Sequence, residues 1–128
     1  MLCYSVTSIN LRAFQECPSL TAVTIPDSVT SIGFDAFMEC YGLTSVTIGS
    51  GITSIDDNCF YRCLNLSSIT IHATTPPTLG TNVFLHTNDC PIYVPDSAVN
   101  AYKTATNWST WASRIKPLSE YVEPSNEE

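Results

Sequence analysis

Apolar residues recur along this chain at a fixed spacing of 23 residues. Val6, Val29 and Ile52 each open the phrase Val/Ile-Thr-Ser-Ile, and small polar residues fill the positions between the apolar ones. The same spacing separates five further sets: Phe14, Phe37 and Phe60; Cys17, Cys40 and Cys63; Leu20, Leu43 and Leu66; Val23, Val46 and Ile69; Ile25, Ile48 and Ile71. A repeat of this size cannot bury its own apolar face, so successive copies must stack. The pattern therefore predicts a repeat solenoid, mainly β, whose function lies on a surface.

Each copy is predicted to contain two extended segments and one short helical turn. Alternating, β-branched residues at 22–25, 45–48, 68–71 and 91–94 predict a parallel strand ladder with neighbours about 4.8 Å apart. Val23 and Ile25 would point inward. A second extended segment is predicted at 29–32. The segment 34–40 is predicted to form a helical turn that directs Ala36, Phe37 and Cys40 toward the core.

The fourth copy is degenerate, and the repeat pattern stops at residue 95. Residues 96–118 predict a C-terminal α-helical cap, with Asp96 or Ser97 as N-cap. Its apolar residues follow a spacing of three to four: Val99, Tyr102, Ala105, Trp108 and Trp111 or Ala112. Residues 119–128 are rich in glutamate and predict an acidic disordered tail.

The solenoid is predicted to occupy residues 1–95, with about four copies of which the first is incomplete. Leu2 falls at the last strand position of an earlier copy, and no cap is predicted before it. An unpaired strand edge recruits partners, so self-association through the N-terminal edge is expected. The segment contains neither a signal peptide pattern nor an apolar run long enough to insert into a membrane.

The charge balance excludes two classes of partner. The formal net charge is −7, and the chain has five Lys and Arg residues in total. Nucleic-acid binding requires clustered cations that neutralise phosphates. Anionic membrane surfaces are disfavoured for the same reason. A protein partner is more consistent with this composition.

The repeat resembles the BspA-type leucine-rich repeat family. The pattern Leu-x-x-Val-x-Ile-Pro, then Val-Thr-Ser-Ile-Gly and Ala-Phe-x-x-Cys, carries the resemblance over about residues 2–95. The run from Ile92 through Tyr102 and Trp108 to Ile115 is similar to the closing segment of such arrays. The resemblance implies a leucine-rich-repeat-like fold. It also implies a bacterial cell-surface or secreted location and a role in adhesion or host-protein binding.

Cysteine and histidine positions give little support for metal binding or catalysis. Cys17, Cys40 and Cys63 share one column, which packing explains because free cysteine is usually buried. The chain has no Cys-x-x-Cys pair and no paired zinc spacing, although Cys59 and Cys63 are four residues apart. Cys3 and Cys90 leave the column and are predicted to be the most exposed or oxidised. We therefore expect no metal, no cofactor and no enzymatic activity.

The candidate binding surface is the outer face of the strand ladder. Its residues are Thr24, Thr47, Thr70, Tyr93, His72, Ser45 and Ser68. Tyr93 and His72 are the groups best suited to anchor a ligand, and a protein is favoured over a glycan because Tyr93 is the one aromatic platform of this face. Two alternatives remain: threonine is simply a good strand former on a wet face, and the solenoid serves as a structural spacer or display stalk.

Overall fold

A computed structural model describes residues 6–121 of the chain. Within this range the strands are β1 (Ser8–Ile9), β2 (Ala22–Ile25), β3 (Ser31–Ile32), β4 (Ser45–Ile48), β5 (Ser54–Ile55), β6 (Ser68–Ile71), β7 (Thr78–Leu79), β8 (Ile92–Val94) and β9 (Ile115–Pro117). They form two parallel sheets, one in the order β2-β4-β6-β8-β9 and one in the order β1-β3-β5-β7. The predicted solenoid is confirmed.

Strand register follows the sequence repeat. Val46 pairs with Val23 on one side and with Ile69 on the other, each 23 residues away. In the smaller sheet Ile55 pairs with Leu79, where one extra residue precedes the strand. Like residues therefore stack on like residues, because the period of the sequence equals the length of one coil.

The third side of each coil is not helical, which corrects the prediction for 34–40. Asp35 and Glu39 have positive φ angles of 58° and 59°, a conformation that a right-handed helix does not contain. Backbone N–H groups alternate between a partner in the same coil and a partner in the next coil. The Met38 N–H donates to the Asp35 carbonyl of its own coil, whereas the Phe37 N–H donates to the Cys59 carbonyl of the next coil at 2.9 Å. The backbone thus forms successive tight turns that hydrogen-bond to the next coil.

A stack of phenylalanine rings runs through the core. The ring centroids lie 5.1 Å apart for Phe14 and Phe37, 5.3 Å apart for Phe37 and Phe60, and 6.2 Å apart for Phe60 and Phe84. Adjacent rings lie within 8° of parallel. Phe37 and Phe60 are fully buried, and Phe14 is half-buried at the front. Burial of each such side chain contributes roughly 1.5–3 kcal/mol, so this column alone gives the repeat a structural purpose.

The cysteine column packs as predicted, and Cys90 does not behave as predicted. Cys40 and Cys63 are fully buried, and the Cys63 thiol donates to the Phe37 carbonyl at 3.1 Å. Cys90 was expected to be exposed or oxidised, but it is a buried free thiol. Arg114 covers it and donates from Nε to the Cys90 carbonyl at 2.8 Å. Cys3 lies outside the described residues.

The C-terminal cap is a mixed structure rather than one helix. It contains a 3-10 helix (Asp96–Ala98), α1 (Val99–Thr104), a second 3-10 helix (Trp108–Arg114), strand β9 and a third 3-10 helix (Leu118–Glu120). Asn107, with φ of 66°, breaks the helical path. Trp108 and Tyr102 are fully buried, and the Trp108 indole N–H donates to the Pro77 carbonyl at 2.8 Å. These aromatic side chains continue the core beyond the last coil.

The two ends of the described range differ from expectation in detail. Neither Asp96 nor Ser97 caps a helix, because Pro95 occupies the N-cap position and no side chain bonds there. At the front, an uncapped edge would leave Val6, Ile9 and Phe14 partly uncovered; Val6 and Phe14 are half-buried, but Ile9 is buried. The tail predicted for 119–128 begins within the third 3-10 helix, and residues 122–128 lie outside the described range, as does Leu2.

Candidate functional site

The outer face of the larger sheet carries two rows of short polar side chains. One row is Ala22, Ser45 and Ser68, and the other is Thr24, Thr47, Thr70 and Tyr93, followed by Lys116 in β9. Exposure falls along each row from β2 to β6 and rises again at Tyr93 and Lys116. Thr24 is exposed, Thr47 is half-buried and Thr70 is 7% exposed. The accessible serine and threonine positions of the face therefore lie on β2 and β4.

Two of the predicted site residues are not accessible. Ser68 is 6% exposed, and Thr70 stands beside Tyr93 in the register of the ladder. Thr70 is 7% exposed and stands between Thr47 and Tyr93, whereas Thr47 has a threonine neighbour on both sides of this row. The expectation of an exposed face at Ser68 and Thr70 is therefore wrong.

Tyr93 is itself partly covered by the C-terminal segment. The Tyr121 ring packs edge-on against the Tyr93 ring with centroids 5.1 Å apart. The Ser119 N–H donates to the Asp96 carboxylate at 2.9 Å and fixes the same segment. This hydrogen bond lowers the pKa of Asp96 below its ordinary value. Tyr93, which the sequence analysis predicts to anchor a ligand, thus already contacts another part of its own chain.

His72 is exposed at the border of the face, beside an acidic group. It follows β6, and its backbone N–H donates to the Ile48 carbonyl at 2.9 Å. Asp27 accepts the Ser50 N–H at 2.7 Å, which lowers the pKa of its carboxyl, and His72 adds to that shift. Gly49 lies between them in the register, where a Cβ atom would come within 2.7 Å of the Asp27 nitrogen. The glycine permits this close approach of two coils.

Among residues 6–121, no three His, Cys, Asp or Glu side chains are grouped so that they would hold a metal ion. None of the helices in that range has the length and apolar character needed to cross a bilayer.

A groove between the last coil and the cap was missed by the sequence reasoning. Its volume is about 520 Å³, and its lining comprises Leu64, Phe84, Leu85, His86, Asn88, Asp89, Trp111 and Arg114. Trp111 fits the apolar spacing of the cap, yet it is only half-buried. The sequence contained a signal for exposed apolar surface here. Tyr41 and Leu64 are large apolar residues that directly follow the repeated cysteines, at a position that belongs to none of the apolar columns.

The parallel ladders, the 23-residue register and the non-helical third side define a leucine-rich repeat protein. Residues 4–109 match the family model described as a BspA type leucine rich repeat region. The chain belongs to this family. Leucine-rich repeat families are generally non-enzymatic and commonly provide protein-interaction or structural modules.

A solved structure supports the same assignment. The chain is similar to the leucine-rich repeat protein of T. pallidum, with 29% sequence identity and a TM-score of 0.65. The match covers 73% of this chain and 44% of that one, so the chain spans less than half the length of this relative. No curated protein matches the chain.

Proposed function

We propose that the chain is a protein-binding module of a bacterial cell-surface or secreted repeat protein, with a role in adhesion or host-protein binding. The observation that carries this proposal is the accessible part of the strand face on β2 and β4. Thr24 is exposed, and Ser45 and Thr47 are half-buried, on a continuous parallel ladder.

The chemistry of this face suits a protein partner. Short side chains lose little conformational freedom on binding, and parallel ladders give solenoids an extended surface for recognition. The larger sheet offers uncharged positions in both rows before Lys116, while Asp27 and His72 supply polar contacts at its border. With a net charge of −7, the whole chain favours a basic partner through long-range attraction.

The test compares one substitution on each sheet. Ser45 in β4 and Ser54 in β5 are both half-buried serines on central strands. Ser45→Arg places a long cation on the proposed face, and Ser54→Arg places the same group on the other sheet. We expect saturable binding to one member of a panel of host matrix and serum proteins, lost in Ser45→Arg and retained in Ser54→Arg. Thermal melts establish that both variants fold.

A structural spacer is the second candidate, and a specific observation favours it. The cap end of the face is already occupied, because Tyr121 covers Tyr93 and both Ser68 and Thr70 are buried. A spacer predicts that no panel protein binds saturably, whereas equal binding by Ser45→Arg and Ser54→Arg would mean that a partner binds another surface. Either result would reject the strand face as a binding site.

A further inference from the structure

Three cysteine thiols occupy one column on the turn side of the solenoid. Cys17, Cys40 and Cys63 follow each other at 23-residue spacing, and Thr87 takes the same position in the fourth coil, which contains one extra residue. The Thr87 side chain is fully buried, and its hydroxyl donates to the Phe84 carbonyl at 2.7 Å. A threonine thus fills this position as well, so packing alone does not require a thiol there.

Neighbouring coils lie close together at this column. The Phe14 N–H donates to the Ala36 carbonyl at 2.7 Å, and the Glu16 N–H donates to the Met38 carbonyl at 2.9 Å. The rings of Phe14 and Phe37, one turn before the first two column cysteines, stack with centroids 5.1 Å apart. This separation lies inside the Cα range of about 4.4–6.8 Å that a disulfide spans. Adjacent coils are therefore suitably spaced for a bond between their cysteines.

The first pair of the column places a reachable thiol next to a buried one. The Cys40 thiol donates to the Phe14 carbonyl at 3.1 Å, and the backbone N–H groups of Glu16 and Cys17 lie close enough to hydrogen-bond its sulfur. Cys17 is half-buried, and its thiol donates to the Gln15 carbonyl over a long distance of 3.9 Å. The Cys17 side chain can therefore turn toward Cys40 without losing a strong hydrogen bond.

The surroundings of Cys40 favour its thiolate. A hydrogen bond from the Cys63 thiol lowers the pKa of Cys40 below its ordinary value, and the N–H groups of Cys17 and Glu16 lower it further, against the opposing effect of burial. The same contact between the two thiols raises the pKa of Cys63. The column thus holds one thiol that solvent reaches, one thiol whose thiolate is stabilised, and one thiol that donates to this thiolate.

We propose that Cys17 and Cys40 are a redox-active pair, which a low-molecular-weight disulfide oxidises to a covalent bond between two neighbouring coils. The Cys17 thiolate attacks one sulfur of the reagent, forms a mixed disulfide and releases one thiolate. The Cys40 thiolate then attacks the Cys17 Sγ atom, breaks the mixed disulfide and releases the second thiolate. The protein gives up two protons and two electrons, and the reagent is reduced to two thiols.

The bond would fix the coil that carries β1 and β2. Within residues 6–121, these are the terminal strands of the two sheets. A disulfide stabilises a fold mainly by restricting the unfolded chain. Oxidation should therefore raise the melting temperature by at least about 5 °C, and reduction should reverse the shift. The pair acts as a switch for the stability of this coil, and it does not depend on what the strand face binds.

The test incubates the folded protein with glutathione disulfide, blocks the remaining thiols with N-ethylmaleimide and maps the bonds by mass spectrometry of unreduced peptides. We expect a peptide pair joined through Cys17 and Cys40, and free thiols again after dithiothreitol. Cys40→Thr, which copies Thr87, should stop at a mixed disulfide of glutathione on Cys17, because the second attack is lost. Cys17→Thr should form no bond between these coils.

Two control variants separate the pair from the general effect of removing a buried cysteine. Cys59→Ala copies Ala36, the residue at the same position of the preceding coil, and Cys63→Ala removes the third thiol of the column. Both should keep the bond between Cys17 and Cys40, and thermal melts establish that every variant folds. An unchanged protein that stops at glutathione on Cys17 overturns the inference. So does a bond between Cys40 and Cys63, or a melting temperature that oxidation leaves unchanged.

Discussion

Tyr121 packs the edge of its ring against Tyr93, with centroids 5.1 Å apart and ring planes at 76°. Such edge-to-face pairs contribute about 0.5–1.5 kcal/mol beyond their buried area. The pair joins the segment after β9 to the outer row of the strand ladder. The accessibility of Tyr93 therefore depends on whether this segment stays in place.

Removing the Tyr121 ring should uncover Tyr93 without unfolding the solenoid. In Tyr121→Ala we expect a stronger photo-CIDNP signal from Tyr93, since the method detects tyrosine rings that solvent-borne dye can reach. Tyr93→Phe assigns the signal by removing it. An unchanged Tyr93 signal in Tyr121→Ala would mean that another group covers the ring.

The phenylalanine stack predicts a large difference between core and face substitutions. Phe37→Ala should lower the free energy of unfolding by about 3–5 kcal/mol, because the ring is fully buried between Phe14 and Phe60. Thr24→Ala, on the exposed row, should change it by less than about 0.5 kcal/mol. Urea melts of both variants measure these values. Similar small losses would contradict the role of the stack.

The repeat columns were predictable because a single period imposes the same environment on every copy. Phe37 and Val46 are buried in the structure for the reason given by the sequence: like residues at 23-residue spacing must stack. The contacts of the cap could not be predicted this way, since Arg114 over Cys90 and Tyr121 on Tyr93 join segments that do not repeat.

The prediction of a helical turn at 34–40 was wrong for a different reason. Asp35 shares its column with Asn58 and Asn82, and Asp and Asn adopt a positive φ more readily than other non-glycine residues, but the glutamate at Glu39 gives no such signal. Hydrogen bonds to the next coil select that conformation, so it appears only once the coils are stacked. The front part of the candidate face was predictable, whereas the burial of Ser68 and Thr70 was not, because their column neighbours Ser45 and Thr47 are the same residue types and yet more exposed.

The buried thiols of Cys59 and Cys90 should be chemically inert in the folded protein. Burial raises the pKa of both, so the reactive thiolate is scarce at neutral pH. We expect iodoacetamide to leave Cys59 and Cys90 unmodified under native conditions and to modify them in urea, as read by peptide mass spectrometry. Half-buried Cys17 serves as the partly accessible comparison. Native modification of Cys90 would show that Arg114 does not shield it.

Asp35 offers a test of backbone conformation. It is buried with φ of 58°, and its Oδ1 atom has no hydrogen-bond partner within residues 6–121. Asparagine occupies the same column at Asn58 and Asn82, also with positive φ. Asp35→Asn should therefore stay within about 0.5 kcal/mol of the unchanged stability. Asp35→Ala should lose about 1–2 kcal/mol, because alanine disfavours this conformation. Equal losses in thermal melts would contradict this explanation.

Attachment of the C-terminal segment should weaken in acid. The Ser119 N–H lowers the pKa of Asp96 below the ordinary value of 3.8, so the charged carboxylate stabilises the attachment at and above that pH. The contribution is lost as the pH falls through the lowered pKa. We expect the Ser119 amide resonance to titrate with a midpoint below 3.8, and Asp96→Asn to abolish that transition. The Ser50 amide, bound to Asp27 in the same way, should still titrate in Asp96→Asn. A Ser119 midpoint at or above 3.8 would show that this hydrogen bond does not hold the segment in solution.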